Sequence, residues 1–310
     1  MERLVIPVLS TAAADVIAEL AARPKLDVVA VAVDVGHGVG LDALRDVALV
    51  AGARRCHVVD RLETLASSVC WPALRAGALG VPGEPVLTAL SMPVVAEAVV
   101  EICRYEHAGS VAVWADGPRD RQRLRALLRD VAPRLGLVSV TSGTSPVGTG
   151  NLWARVPSDG QSDGSQVRPA APGPVDVRIG FERGYPVSLS GVAMAPAELI
   201  DSLATLTRGH GVGTWTAHDE GALARAWTVH APAALALHRA FEALTARVFD
   251  DRTREMATMV AESYAAVVRD GAWFSPVRAG LDAFVDRVLD AATGEVRLLV
   301  ADGRIEMEEA

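Results

Sequence analysis

RLVIPVLSTAAAD, residues 3–15, reads as a buried strand from Arg3 to Val8 that passes directly into a helical pattern. In an α/β sheet such a turn is where a phosphate is seated, because backbone N–H groups at the start of the helix approach the anion. That approach needs glycine-type dihedrals and no side-chain bulk. Here Leu9 and alanines 12–14 occupy the turn, and no glycine occurs before Gly36. The stretch therefore promises a parallel sheet without the usual grip on a phosphate.

Working outward, apolar runs at 3–8, 27–34, 55–59, 110–115 and 137–141 alternate with helical patterns at 11–22, 41–51, 62–76, 93–107 and 118–131. Unbroken apolar strands joined by helices predict an α/β fold, a doubly wound parallel sheet over residues 1–141. Its ligands would lie beyond the carboxyl ends of the strands, near Ser10, Asp34 to Gly38 and Ala115 to Arg121. Residues 142–174 are rich in Gly, Ser, Pro and Asp around one apolar island, Leu152-Trp153, and read as a linker or mobile loop. Residues 175–310 predict a smaller α+β domain. Its elements are a hairpin of 175–182 with 186–190, helices at 196–208, 231–247 and 252–270, a last helix from Ser275-Pro276 to about Ala291, and a hairpin around Asp302-Gly303.

The chain of 310 residues is 50% hydrophobic and 22% charged, which is enough apolar material for two packed domains. A net charge of −8 argues against a nucleic-acid or anionic-membrane partner. No apolar run reaches the ~18 residues that cross a bilayer, and the amino terminus reads as a strand, so a cytoplasmic location is expected. Cys56, Cys70 and Cys103 lack metal or redox spacing and read as reduced core residues, and the seven histidines are scattered, so no metal site is expected. Lys25 is the only lysine, placed where neither a Schiff base nor a phosphate-binding role is plausible.

Several stretches, in order and at matching spacing, resemble argininosuccinate synthase, the ligase that joins citrulline and aspartate through a citrullyl-adenylate. They include VVAVAVDVGHG (28–38), Trp71-Pro72-Ala73-Leu74, His210-Gly211-Val212-Gly213, HRAFEALT (238–245), DGAWFSPVRAGLDAFVDRV (270–288) and TGEVRLLVADG (293–303). The resemblance covers nearly all of the chain outside the linker. It implies a sheet of the adenine nucleotide alpha hydrolase-like type followed by a synthase-like domain that takes part in oligomerisation.

The departures bear on function. The family's SGGLDTS loop falls on Val8–Ala14, leaving only Ser10 and Thr11. Its YPLGTSLARP segment falls on 84–93, where Thr88 and Pro93 survive. Its GxTGKGNDQxRFE segment, which would hold aspartate and ATP, becomes Ala115–Arg125, with Asp116, Arg119 and Arg121 but without the glycines, lysine and asparagine. YExPA falls on Val229–Ala233 and places His230 at the glutamate. A mostly neutral imidazole cannot balance an ammonium group as a carboxylate would. The family's long C-terminal arm has no counterpart after Ala310, so a smaller or different assembly is expected.

Each candidate has two readings. Ser10 and Thr11 either contact a phosphate or cap the next helix. Asp34 either meets an adenosine or makes a turn. Arg119, Arg121, Arg123 and Arg125 either face an anion or form a solvated helix face. His218-Asp219-Glu220 reads as a polar turn. The leading expectation is a pseudoenzyme that has lost ligation and acts as a binding or assembly partner, as a homo-oligomer or with an active synthase-like subunit. No cofactor is then expected. The alternative is a repurposed ligase that uses ATP and Mg to join aspartate or a similar amine to another acceptor. A third reading is a sensor with a small amino-acid ligand in the vacated cleft.

Overall fold

The computed structural model describes residues 2–36, 38, 40–84, 86–140, 150–154, 173–218 and 226–307. The chain forms two compact units, one of Met1–Leu62, Ala89–Asn151 and Val268–Ser275, the other of Glu63–Thr88, Leu152–Val267 and Pro276–Ala310.

The first unit opens with β1 (Glu2–Val8), α1 (Ala13–Ala21), β2 (Leu26–Asp34), α2 (Leu41–Val50) and β3 (Arg55–Asp60). Short helices α3 (Leu62–Leu65), α4 (Trp71–Arg75) and α5 (Val86–Ala89) follow. The chain then rejoins the sheet through α6 (Ser91–Tyr105), β4 (Ser110–Val113), α7 (Pro118–Val131) and β5 (Gly136–Ser139). The strands are all parallel in the order β3-β2-β1-β4-β5, with Val5 paired to Val29 on one side and Val111 on the other. Between its two ends β2 is buried on both faces, which is why its sequence shows no alternation. The doubly wound expectation holds. Winding reverses between β1 and β4, and this opens a crevice at their carboxyl ends.

Two stretches differ from the sequence reading. The single helix expected over 62–76 is broken into α3, a π-helical turn at Ala66–Cys70 and α4. Pro72 has no N–H for the preceding turn and its ring crowds the carbonyl four residues back, so the helix widens just before it. The stretch Val86–Tyr105 is long and apolar enough to cross a membrane, contrary to the reading that none is, yet 83% of its most apolar 18-residue window is buried inside the protein. Its packing is that of a core helix.

At the amino-terminal edge of the sheet, Glu106 is 2% exposed and gathers two arginines and a histidine. His57 Nε2 lies 2.7 Å from its carboxylate, Arg55 Nη1 3.1 Å and Arg3 Nη1 3.1 Å. Burial by itself would raise the Glu106 pKa, but the hydrogen bonds from His57 and Arg55 outweigh it and hold the carboxyl below its usual range.

The second unit contains β6 (Val175–Glu182), β7 (Tyr185–Leu189), β8 (Val192–Ala193), α8 (Pro196–Gly209), β9 (Thr214–His218) and β10 (Ala226–His230). It continues with α9 (Pro232–Val248), α10 (Asp251–Asp270), α11 (Pro276–Val288), β11 (Gly294–Ala301) and β12 (Arg304–Met307). Five strands form an antiparallel sheet in the order β12-β11-β6-β7-β8, and β9 pairs with β10 separately. Buried residues alternate along β6 and β11 because one face packs under helices and the other meets solvent. The hairpin at Asp302-Gly303 turns as expected, with φ of 48° and 76°.

The island at Leu152-Trp153 is not part of a linker. Trp153 is 1% exposed and meets Trp71 edge to face at 5.6 Å, so 63–88 packs with this unit although sequence order groups it with the first domain. Most of the remaining 142–174 stretch, and the Asp219-Glu220 pair, lie outside the described residues.

Candidate functional site

The crevice between β1 and β4 is bridged from within. Ser10 leaves β1 and Asp116 leaves β4, and the Ser10 hydroxyl donates to Asp116 Oδ1 at 2.5 Å. Asp116 is fully buried. Ser10 Oγ also accepts the Ala12 N–H at 3.3 Å, so the hydroxyl is engaged on both sides. Helix α1 has Ala12 at its N-cap position and receives no side-chain cap, so neither Ser10 nor Thr11 caps it. Thr11 is exposed. Asp34 Oδ1 accepts the Gly36 N–H at 2.9 Å, which is the turn role.

Arg121, Arg123 and Arg125 of α7 are committed to protein groups. Arg121 Nη1 donates to the Val140 carbonyl at 3.4 Å, and Arg125 Nη2 to Ser139 Oγ at 2.6 Å. Arg123 is 4% exposed; its Nη1 pairs with Asp120 at 2.7 Å and its Nε donates to the Arg269 carbonyl at 2.8 Å. That last bond satisfies a carbonyl at the end of α10, one of the groups a helix terminus leaves open. Arg119 is exposed on the first turn of α7.

Immediately after α10, Gly271 adopts φ of 70°. A Cβ there would come within 2.8 Å of the Arg123 carbonyl oxygen and 2.9 Å of its Cα. The glycine before the WFSP segment is thus required twice, by its dihedral and by the approach of α7.

The structure brings together Ser10 and Asp116 from the predicted set. Asp34, Arg119 and Arg121 belong to the same unit, whereas Thr88, on α5, and His230, ending β10, belong to the second. His230 packs against bare backbone: a Cβ on Gly213 would collide with its ring. Sequence reasoning named Ser10 and Asp116 separately but not their bond. They stand 106 positions apart, and only the strand order makes them neighbours.

A parallel sheet with its crevice at the β1 and β4 ends, followed by an α+β unit, defines a two-part protein built on the HUP nucleotide fold. Residues 9–143 match the arginosuccinate synthase N-terminal HUP domain, and residues 151–309 match the arginosuccinate synthase C-terminal domain. The chain belongs to the argininosuccinate synthase family. It is 29% identical to argininosuccinate synthase of Moorella thermoacetica over 320 residues, covering 89% of this chain and 78% of that protein. It is 30% identical to the Rubrobacter xylanophilus enzyme over 311 residues, covering 87% and 76%, respectively.

Proposed function

We propose that this protein is a family member that has lost ATP-dependent ligation of citrulline to aspartate and serves as a binding or assembly partner. The observation that carries this reading is the Ser10–Asp116 bond across the crevice. A carboxyl group takes up the Ser10 hydroxyl of that turn, at the place where a triphosphate would need donors and positive charge. The turn itself contributes Leu9 and alanines in place of glycine, and the Arg121, Arg123 and Arg125 side chains are engaged elsewhere. Three missing charge-assisted contacts, each worth ~1.5–3 kcal/mol, amount to ~4.5–9 kcal/mol, or about three to six decades of affinity.

Calorimetry with Mg-ATP tests the loss. The expected result is no saturable heat up to millimolar nucleotide and no pyrophosphate release when citrulline and aspartate are added. Micromolar ATP binding, or pyrophosphate release with these or other amine acceptors, overturns it in favour of an active ligase. Native mass spectrometry of protein isolated from its host tests the partner role. A stable oligomer or second subunit is expected, and a lone monomer counts against it.

A further inference from the structure

In the second unit, α9, α10, α11 and the 76–82 loop enclose a pocket of about 410 Å³, within the size range of small-molecule sites. Phe241, Phe249, Phe284 and Val285 supply an apolar wall, and Arg75 lies on the same wall. The enclosure is built closely. A Cβ on Gly80 would come within 2.7 Å of the His238 ring on α9, and one on Gly77 would lie 3.4 Å from Ala261 on α10. Bare glycine therefore lets the loop close directly on both helices, and the pocket is preformed.

Arg75 is the unusual member. Its side chain is 4% exposed. Nε donates to the Arg183 carbonyl at 3.2 Å, and Nη1 to the Tyr185 hydroxyl at 2.5 Å and to Asp286 at 2.7 Å. The guanidinium also stacks on the Tyr185 ring at 3.8 Å. Nη2 is buried and has no hydrogen-bond acceptor among the described residues. A buried guanidinium nitrogen is costly unless an acceptor meets it, and the two N–H groups of Nη2 can donate to a carboxylate oxygen. Its counter-ion Asp286 is 55% exposed and so compensates it incompletely.

We propose that this pocket binds a small carboxylic acid with an apolar, ring-sized body, its carboxylate held by Arg75 and its body against the phenylalanines. A doubly charged phosphate fits poorly, because Glu242 and Glu262 line the pocket beside Arg75 and Arg254 and the rest of the wall is largely apolar. The site is independent of the β1–β4 crevice and of the fate of ligation.

Calorimetry and thermal shift on the full chain test it, with 3-phenylpropionate, benzoate and hexanoate as probes and 3-phenylpropanol as the uncharged control. The acid of matching body is expected to bind at least tenfold more tightly than the alcohol. Arg75→Lys keeps the charge but not the Nη2 donors and should weaken the acid at least tenfold. Ala257→Trp, which fills the pocket from α10 and leaves Arg75 in place, should abolish binding and decides the matter if the Arg75 variant does not fold. No acid binding at millimolar concentration, equal binding of acid and alcohol, or full binding by Ala257→Trp overturns the proposal.

Discussion

Replacing Gly271 with alanine should destabilise the protein sharply, because the two requirements on that position are separate and both are violated. Holding a non-glycine residue in the left-handed region, where Gly271 has φ of 70°, costs roughly 1–2 kcal/mol. The added methyl would also lie 2.8 and 2.9 Å from the carbonyl oxygen and Cα of Arg123, and these are backbone atoms of a helix rather than the end of a flexible side chain. Relieving that overlap means shifting α7 or the end of α10, at ~1–3 kcal/mol. The expected total is roughly 2–5 kcal/mol. Gly280 supplies the control, since it lies inside α11 and a methyl added there would meet no atom beyond its own helix within 4 Å. There alanine should stabilise by roughly 0.5–1 kcal/mol through helix preference alone. Urea unfolding of both variants at pH 7 measures the contrast. If Gly271→Ala unfolds within about 0.5 kcal/mol of the parent, or if both variants shift alike, neither the dihedral nor the approach of Arg123 requires glycine at 271.

Further perturbations test other parts of the molecule. Glu106→Gln should cost about 1–3 kcal/mol at pH 7 by leaving Arg3, Arg55 and His57 without their carboxylate. Because the folded Glu106 pKa lies below its unfolded value, its contribution is full above the unfolded pKa and disappears as pH falls through the folded one. Urea midpoints from pH 6 to pH 3 should therefore decline less steeply in the variant, and parallel curves would refute the pairing. Burial pushes the Cys103 thiol up to about 12 and Cys70 well above its ordinary value. A disulfide reagent at pH 8 should accordingly leave both unlabelled in the native protein, while all three cysteines react in denaturant. Trp153→Ala should cost ~3–5 kcal/mol, read by thermal or urea unfolding, if the island at 152–154 is core as its contact with Trp71 implies.

Much of the fold is legible in local pattern. The apolar run of β2 has no alternation, so only a sheet covered on both faces can bury it, and Gly117-Pro118 marks the start of α7 to the residue. Local signals fail where a distant partner decides. Thr214–His218 and Ala226–His230 carry strand-type Thr, Trp and Val, but each is short and their pairing needs the other across a connection. Leu152-Trp153 looks like an interruption in a polar stretch until Trp71 is placed beside it. Arg75, in the apolar segment WPALRAGAL, is a sequence-level oddity whose meaning depends on Tyr185 and Asp286 more than a hundred positions away.

By itself the sequence determined the class of sheet, the missing glycines of the first turn and the family, because these depend on short-range periodicity and on residue types in fixed order. The tertiary structure alone decided which groups bridge the crevice. Strand order carries Ser10 to Asp116, and packing draws the arginines of α7 toward carbonyls and hydroxyls of their own unit. The physical reason is that hydrogen bonds act over about 3 Å, whereas the residues that make them are chosen by the path of the whole chain.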